Sequence, residues 1–245
     1  GEIDMLARNT TWTFSRDVDL GLEFVGVNYY DGQGFLVPTS LGVTSAMELD
    51  GASICIQVGT TTELNLADYF RMNKMEYESI PVETNDEADA AFLAGRCDVY
   101  TTDQSGLYAQ RSTYPNPDDW VVLPEIISKE PLGPSVRHGD SKWADVVRWS
   151  LNTMIIAEEM GITSANVDSF LSSDNPGILR LLGKEGAYGA MLGVNNDFGY
   201  QIIKQVGNYG ESFERNIGLS TPMAIARGVN AMWTEGGLIY APPFR

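Results

Sequence analysis

The sequence predicts an α/β fold built on a parallel sheet. From Phe35 to about Glu130, short apolar runs alternate with helical patterns in the order β-α-β-α-β-α, which implies parallel strands joined by right-handed crossovers. Inside that region, Ser53-Ile54-Cys55-Ile56-Gln57-Val58-Gly59-Thr60-Thr61-Thr62-Glu63-Leu64 reads as a short buried strand running straight into the first turn of a helix. The composition agrees: 43% of the 245 residues are hydrophobic and 20% charged, enough for one large domain or two small ones with real cores.

Each element follows from local pattern. Ile3 to Ala7 reads as a short strand, and Arg8 to Asp17 as a polar loop dense in hydroxyls. Leu22 to Tyr30 is apolar and extended, Asp31-Gly32-Gln33-Gly34 is a turn, and Phe35 to Val37 a strand that Pro38 ends. Ser45 to Leu49 is a helical turn. In the central stretch Gly59 permits a tight turn, one of Thr60, Thr61 or Thr62 caps the helix, and Glu63 suits its positive end. A helix over Glu63–Asn73 places Leu66 and Phe70 on one face. Tyr77 to Val82 is the second strand of the alternation. Asn85 caps a helix over Asp86–Ala94, and Gly95 stops it. Cys97 to Asp103 is the third strand, Gln104 to Arg111 the next helix, and Val121–Leu123 and Ile126–Ile127 are strand-like.

Lys129 to Gly139, with Pro131, Gly133 and Pro134, reads as a connector. Trp143 to Glu159 is an amphipathic helix with Trp143, Val146, Val147, Leu151, Met154 and Ile155 on one side, a stripe most simply read as core. Asp174-Asn175-Pro176 opens a short helix over Gly177–Leu182. Gly183 to Gly193 is irregular. Asn196 to Asn208 is a helix with Ile202, Ile203 and Val206 inward, Pro222 to Trp233 is the last helix, and Leu238 to Arg245 is extended.

In parallel sheets, ligands sit at the carboxyl ends of strands. Gly59-Thr60-Thr61 and Thr102-Asp103 both fall there. A helix N-terminus offers unpaired N–H groups to an anion, and Asp103 offers a carboxylate. A ligand carrying both a carboxylate and an ammonium matches that rim. Blander readings stand beside it: a capped turn that binds nothing, Arg16 as a surface ion pair with Asp17 or Asp19, and Asp103 as a cap for the helix that follows it.

Composition excludes several classes. With 33 acidic and 16 basic residues the formal charge is −17, a poor match for nucleic acid or an anionic membrane surface. No stretch approaches the roughly 20 consecutive apolar residues of a membrane-spanning helix, and the Gly1-Glu2-Ile3-Asp4 opening has no signal-peptide pattern. That opening lacks an initiator Met, so the chain is read as a processed or cut piece. No phosphate loop, nucleophile elbow or metal-ligand cluster is present, so no metal or cofactor is expected. The single histidine, His138, lies in the connector beside Arg137 and is read as exposed. Cys55 and Cys97 fit one disulfide or two buried thiols on spacing alone.

Arg8-Asn9-Thr10-Thr11-Trp12-Thr13-Phe14-Ser15-Arg16, Gln57-Val58-Gly59-Thr60-Thr61-Thr62-Glu63 and Gly95-Arg96-Cys97-Asp98-Val99-Tyr100-Thr101-Thr102-Asp103 resemble polar amino-acid-binding proteins of bacterial ABC importers. The general L-amino-acid-binding subfamily is the nearest, with a long C-terminal extension similar to Ile202–Glu211 and to the Ala241-Pro242-Pro243 ending. The resemblance covers essentially the whole chain. It implies a type II periplasmic-binding-protein fold whose two lobes close on a free L-amino acid by hinge motion. Lobe two would span residues 35–130, and residues 1–34 and 131–245 would form lobe one with a helical extension. Arg16 would pair bidentately with the ligand α-carboxylate, shared with Thr11 and the Thr61 amide. Asp103 would hold the α-ammonium, and Asn9 would contribute through its backbone. Gln57 and Thr102 would face the ligand side chain; both are neutral and polar, which suits polar or broad specificity. ABC permease subunits would be the protein partner, and the location periplasmic.

Relatives carry a long further segment before Gly1, so lobe one is expected to be incomplete, with the gap covered by another copy of the chain, a separate fragment or a rearranged extension. Cys55 and Cys97 would lie on neighbouring strands of lobe two and form a disulfide, as suits an oxidising periplasm. The competing readings are a small-acid enzyme on the same fold, for which Asp103 lacks a partner acid or base, and a truncated remnant that oligomerises and binds nothing.

Overall fold

In a computed structural model that describes residues 2–245, the chain divides into two compact units: residues up to 30 with 132–245, and residues 31–131. The strand expected over Ile3–Ala7 is reduced to a single bridge, Leu6 with Ser135, and a second bridge joins Thr11 to Leu132. Arg8 and Asn9 bend the chain and end the pairing after one residue. The polar loop closes in a π-helical turn over Ser15–Asp19. The extended stretch that follows is two strands, β1 (Leu22–Phe24) and β2 (Tyr29–Asp31).

Residues 31–131 hold β3 (Gln33–Pro38), β4 (Ser53–Gln57), β5 (Glu78–Val82), β6 (Val99–Asp103) and β7 (Trp120–Val122), with α1 (Thr61–Asn73), α2 (Asn85–Leu93) and α3 (Gln104–Thr113). The sheet order is β5-β4-β6-β3-β7. β4 runs parallel to β5 and β6, but β3 is antiparallel to β6 and to β7. The all-parallel expectation is therefore corrected to a mixed sheet. Between β3 and β4 lie only two 3-10 turns, Thr39–Leu41 and Ala46–Glu48, and without a crossover helix nothing returns the chain in the same sense.

Alternation builds both faces of this sheet. Phe35, Val37, Ile54, Ile56 and Val99 pack with Leu66 and Phe70 of α1. Leu36, Cys55 and Tyr100 pack on the opposite face with Ala88, Phe92 and Leu107 of α2 and α3, the period of two that a doubly covered strand requires. Cys55 and Cys97 form a disulfide with Cα atoms 5.7 Å apart.

Three local expectations shift. Asp31–Gly34 is not a turn: Gly32 links two strands because a Cβ there would lie 2.1 Å from Ile126 Cγ2. α2 is capped by Thr84 rather than Asn85, through a capping box with Glu87. Ile126–Ile127 forms no strand, since Pro124 has no N–H to offer, and only the Ile127 N–H reaches the sheet, at Gln33 O (2.9 Å).

The connector over Lys129–Gly139 contains β8 (Glu130–Leu132) and β9 (Ser135–Arg137). β9 pairs antiparallel with β1, and β8 pairs with β2. Each ribbon is two-stranded, so both of its strands are edge strands, where a proline such as Pro131 of β8 is tolerated. Gly133 is required by close approach: a Cβ there would lie 1.9 Å from Gly26 O.

α4 (Ser141–Glu159) follows, capped by Asp140. Its buried face is Ala144, Val147, Ile155 and Ile156, whereas Trp143 is exposed and donates from Nε1 to Asp4 O at 3.0 Å. α5 (Pro176–Leu181), α6 (Tyr188–Leu192), α7 (Phe198–Val206) and α8 (Tyr209–Asn216) pack with the chain's last residues around Ile162, Leu181, Ile203 and Phe244. α6 occupies the stretch expected to be irregular. Val206 is exposed. The helix expected to end at Asn208 stops at Val206, because Gly207 adopts φ +94° and Asn208 begins α8 with a capping box to Glu211. No helix forms over Pro222–Trp233: Ala224 and Gly228 both take φ +50°, and only 3-10 turns remain at Gly228–Asn230 and Trp233–Glu235. Among the described residues no helix is long and apolar enough to cross a membrane.

Candidate ligand-binding site

In residues 31–131 the carboxyl ends of the parallel neighbours β4 and β6 share one edge of the sheet, and the start of β3 joins them through the Gln33–Asp103 pairing. Gly59 turns the chain with φ +69°. Its N–H donates to Glu63 Oε2 at 2.9 Å, and Thr60 Oγ1 donates to Gln57 O at 2.8 Å. Thr60 holds the capping position of α1 without a side-chain capping bond. The first turn of α1 thus presents Thr61 at a helix N-terminus, where partial positive charge gathers. The Thr61 hydroxyl donates to Glu130 Oε2 at 3.4 Å.

Asp103 ends β6, is 5% exposed and adopts φ −51°, ψ 135° at the start of α3, with no side-chain cap to that helix. Thr102 is buried beside it. Gln57 is half-buried at the end of β4, and its Nε2 donates to Glu83 O at 2.9 Å. Gln57, Thr102 and Asp103 lie at the carboxyl ends of β4 and β6.

In the other unit, Thr11 is buried and bridged to Leu132. Arg16 lies in the π-helical turn, half-buried. Its Nη1 donates to Thr11 O at 3.0 Å and its N–H to Thr13 Oγ1 at 3.3 Å. Asp17 instead accepts from Trp12 Nε1 at 3.2 Å and stands 3.7 Å from His138 Nε2. A surface pair of Arg16 with Asp17 or Asp19 is therefore not what holds the guanidinium. Asn9 is exposed on the same loop.

Three polar residues at the rim, Gln33 and Glu130 buried and Asp31 half-buried, escaped sequence reasoning. Gln33 is fully buried and donates from Nε2 to Thr62 O (3.1 Å) and Thr101 Oγ1 (2.9 Å). Glu130, 2% exposed, accepts from Asn65 Nδ2 at 2.8 Å and Ser128 Oγ at 2.7 Å as well as from Thr61. Asp31 accepts from Gly32 N–H at 2.8 Å, from the Ser105 hydroxyl and from the Ser105 N–H. Burial pushes the Asp31 carboxyl above the usual range, against the pull of its hydrogen bonds from Ser105 and Gly32, and the negative Glu130 adds to the push. All three lie in stretches whose turn or connector composition hid them. The available signal was a lone polar residue flanking each apolar run.

Among the described residues no cluster of three or more His, Cys, Asp or Glu could hold a metal. Within residues 31–131 the rim gathers hydrogen-bond donors, one helix start and the buried carboxylates of Asp103 and Glu130.

No protein-family profile matches the chain. It is similar to BztA of Rhodobacter capsulatus, a glutamate/glutamine/aspartate/asparagine-binding protein, with 60% identity over 246 residues, 100% of this chain and 73% of that one. It is equally similar to AapJ of Rhizobium johnstonii, a general L-amino acid-binding periplasmic protein, at 60% identity over 247 residues and 72% of that chain. A solved ABC-transporter periplasmic binding protein from Brucella ovis, with glutathione bound, superposes with a TM-score of 0.98 at 60% identity, covering 100% of this chain and 78% of that one.

Proposed function

From the premise that this chain belongs to the amino-acid-binding periplasmic proteins of ABC transporters, with their type II periplasmic-binding-protein fold, we propose that it captures a free L-amino acid in the periplasm and delivers it to ABC permease subunits. The observation that carries this is the 60% identity, across the whole chain, to two amino-acid receptors. The Cys55–Cys97 bridge supports an oxidising compartment.

The residue roles are those the family resemblance implies. Arg16 takes the ligand α-carboxylate in a two-pronged pair, helped by Thr11 and by the Thr61 N–H at the start of α1. Asp103 takes the α-ammonium, and Asn9 adds a backbone contact. Thr102 and Gln57 meet the ligand side chain; Gln57 Nε2 gives one of its two hydrogens to Glu83 O, which leaves a second N–H and Oε1 to offer. Both residues are neutral and polar, which suits polar or broad specificity better than a strictly basic or strictly acidic one.

The Brucella ovis structure favours a second ligand. The γ-glutamyl end of glutathione keeps a free α-carboxylate and α-ammonium, so the same Arg16 and Asp103 would recognise it. Titration calorimetry of the full-length protein against L-glutamine, L-glutamate, L-asparagine, L-aspartate and glutathione decides between them. Arg16→Ala is expected to weaken the preferred ligand at least ~100-fold. Heat from none of the five would overturn the receptor reading, and chemical turnover of a bound ligand would convert it to an enzyme.

A further inference from the structure

Two grips meet at adjacent residues of β2. Tyr30 is held on both backbone groups by one side chain: its N–H donates to Asn230 Oδ1 at 2.7 Å, and Asn230 Nδ2 donates to its C=O at 2.9 Å. A side-chain amide used in this way copies a strand partner, one donor and one acceptor presented together. Asn230 is 3% exposed and is itself braced. Its N–H donates to Arg227 O at 2.8 Å, and its C=O accepts from Arg227 Nε at 3.0 Å. The Arg227 guanidinium is paired two-pronged with Glu158 of α4, at 2.9 and 3.3 Å, and lies 5.1 and 5.0 Å from the Tyr209 and Phe213 rings. The Tyr209 hydroxyl donates to Asn28 O at 2.9 Å. The C-terminal part of the chain therefore clasps residues 28–30. One residue further on, Asp31 is tied by its carboxylate to Ser105 in the first turn of α3.

The chain passes between the compact units twice, after Tyr30 and after Pro131, and the first crossing falls between those grips. A segment clamped up to one residue and again from the next leaves few backbone dihedrals to absorb a motion. We propose that Asn230 is a positioning residue for lobe closure: it fixes Tyr30 so that, at the first of the chain's two crossings between the units, bending is confined to the Tyr30–Asp31 linkage, and it thereby sets ligand affinity. This rests on the receptor reading above. Only an amide of this length satisfies both groups of Tyr30. An Asp at 230 would oppose its carboxylate to the Tyr30 carbonyl, and an Ala would release both groups.

The test uses the full-length protein with Asn230→Ala, Asn230→Asp and, as control, Val229→Ala, an exposed neighbour. Spin labels on Met72→Cys and Met191→Cys, both exposed and one in each unit, report inter-unit distances by electron paramagnetic resonance without ligand. A broadened distribution in both Asn230 variants, and not in Val229→Ala, supports the proposal; an unchanged one overturns it. With L-glutamine and L-glutamate as probes, both Asn230 variants are expected to bind ~10-fold more weakly, because a smaller fraction of molecules is competent to close. Affinity within twofold of the parent, with only the melting temperature lowered, makes Asn230 a plain structural brace and sinks the idea. A parent that binds neither probe counts against the receptor reading alone, and the ligand-free distances still decide this one.

Discussion

Residues 31–131 and the C-terminal half of the other unit are held together by different means. The first is a five-stranded sheet with apolar side chains on both faces and a disulfide through one of them. The second has helices but few strands, and many of its joints are polar. Asn208 caps α8, and Nδ2 of the same residue donates to Ile162 O at 2.9 Å. Glu211 gathers donors from Ser164 and Asn208, and Arg227 joins Glu158 beneath two aromatic rings. Packing is tolerant of which apolar residue fills a place, whereas a joint made by one amide or one guanidinium is specific to that residue. The sheet unit is therefore robust to conservative change, and the C-terminal region depends on single side chains.

The largest effect is expected from the sheet unit's own core. Phe35 is fully buried on β3, an inner strand of the sheet, so Phe35→Ala should cost about 4 kcal/mol in urea unfolding; a loss under about 1 kcal/mol would remove packing as the source of that unit's stability. Replacing both cysteines by serine opens a cross-link over a sequence separation of 42 and should cost about 3 kcal/mol, read from the same unfolding curves. Next comes the polar joint of the C-terminal region. Arg227→Met strands the partly buried Glu158 and should cost about 2 kcal/mol, and a double-mutant cycle with Glu158→Gln should show strong coupling. Additive costs would mean that the pair is incidental. Asn208→Ala removes a cap and should cost about 1 kcal/mol, visible as a lower melting temperature.

The smallest effect is one of pH, and the two regions should respond in opposite directions. Burial pushes the Glu211 carboxyl up, but the Ser164 hydroxyl and the N–H groups of Asn208 and Ser164 outweigh it and hold the group below the usual range. Its contribution is thus present above the unfolded value of 4.5 and lost as pH falls through the lower folded value. Asp31 is raised, so the folded protein holds that proton more tightly than the unfolded chain. Between 3.8 and its higher folded value, its contribution to stability falls as pH rises. Glu211→Gln should flatten the acid-side loss, and Asp31→Asn the opposing slope, in melting temperatures taken from pH 3 to 7. The same slope in both variants would contradict the assignment.

The contrast also explains what was legible in the sequence. Strands β3 to β6 and helices α1 to α3 announce themselves because their buried residues recur with a period of two or of 3.6. The mixed direction of the sheet did not, because nothing in the pattern of β3 says which way its neighbour runs. In the C-terminal region the helix expected over Pro222–Trp233 was wrong, since Ala224 and Gly228 take positive φ for tertiary reasons. The clasp of Asn230 on Tyr30, 200 residues apart, leaves no periodic trace. Of the rim, Gly59, Thr61 and Asp103 were placed at strand ends by the alternation itself. Gln33, Asp31 and Glu130 were not, because their partners include residues of α1, β6 and α3 that are distant in the sequence.

The disulfide has a consequence for how this chain matures. Cys55 belongs to β4 and Cys97 lies just before β6, and β4 takes its place between β5 and β6. In the folded chain the bond spans the loop that contains α1, β5 and α2 and ties the start of β6 to β4. It is a covalent record that a non-local strand arrangement was reached. In a reducing compartment the thiols stay apart, so the chain acquires this lock only on meeting an oxidant, and a misordered sheet would leave two free thiols behind as its mark.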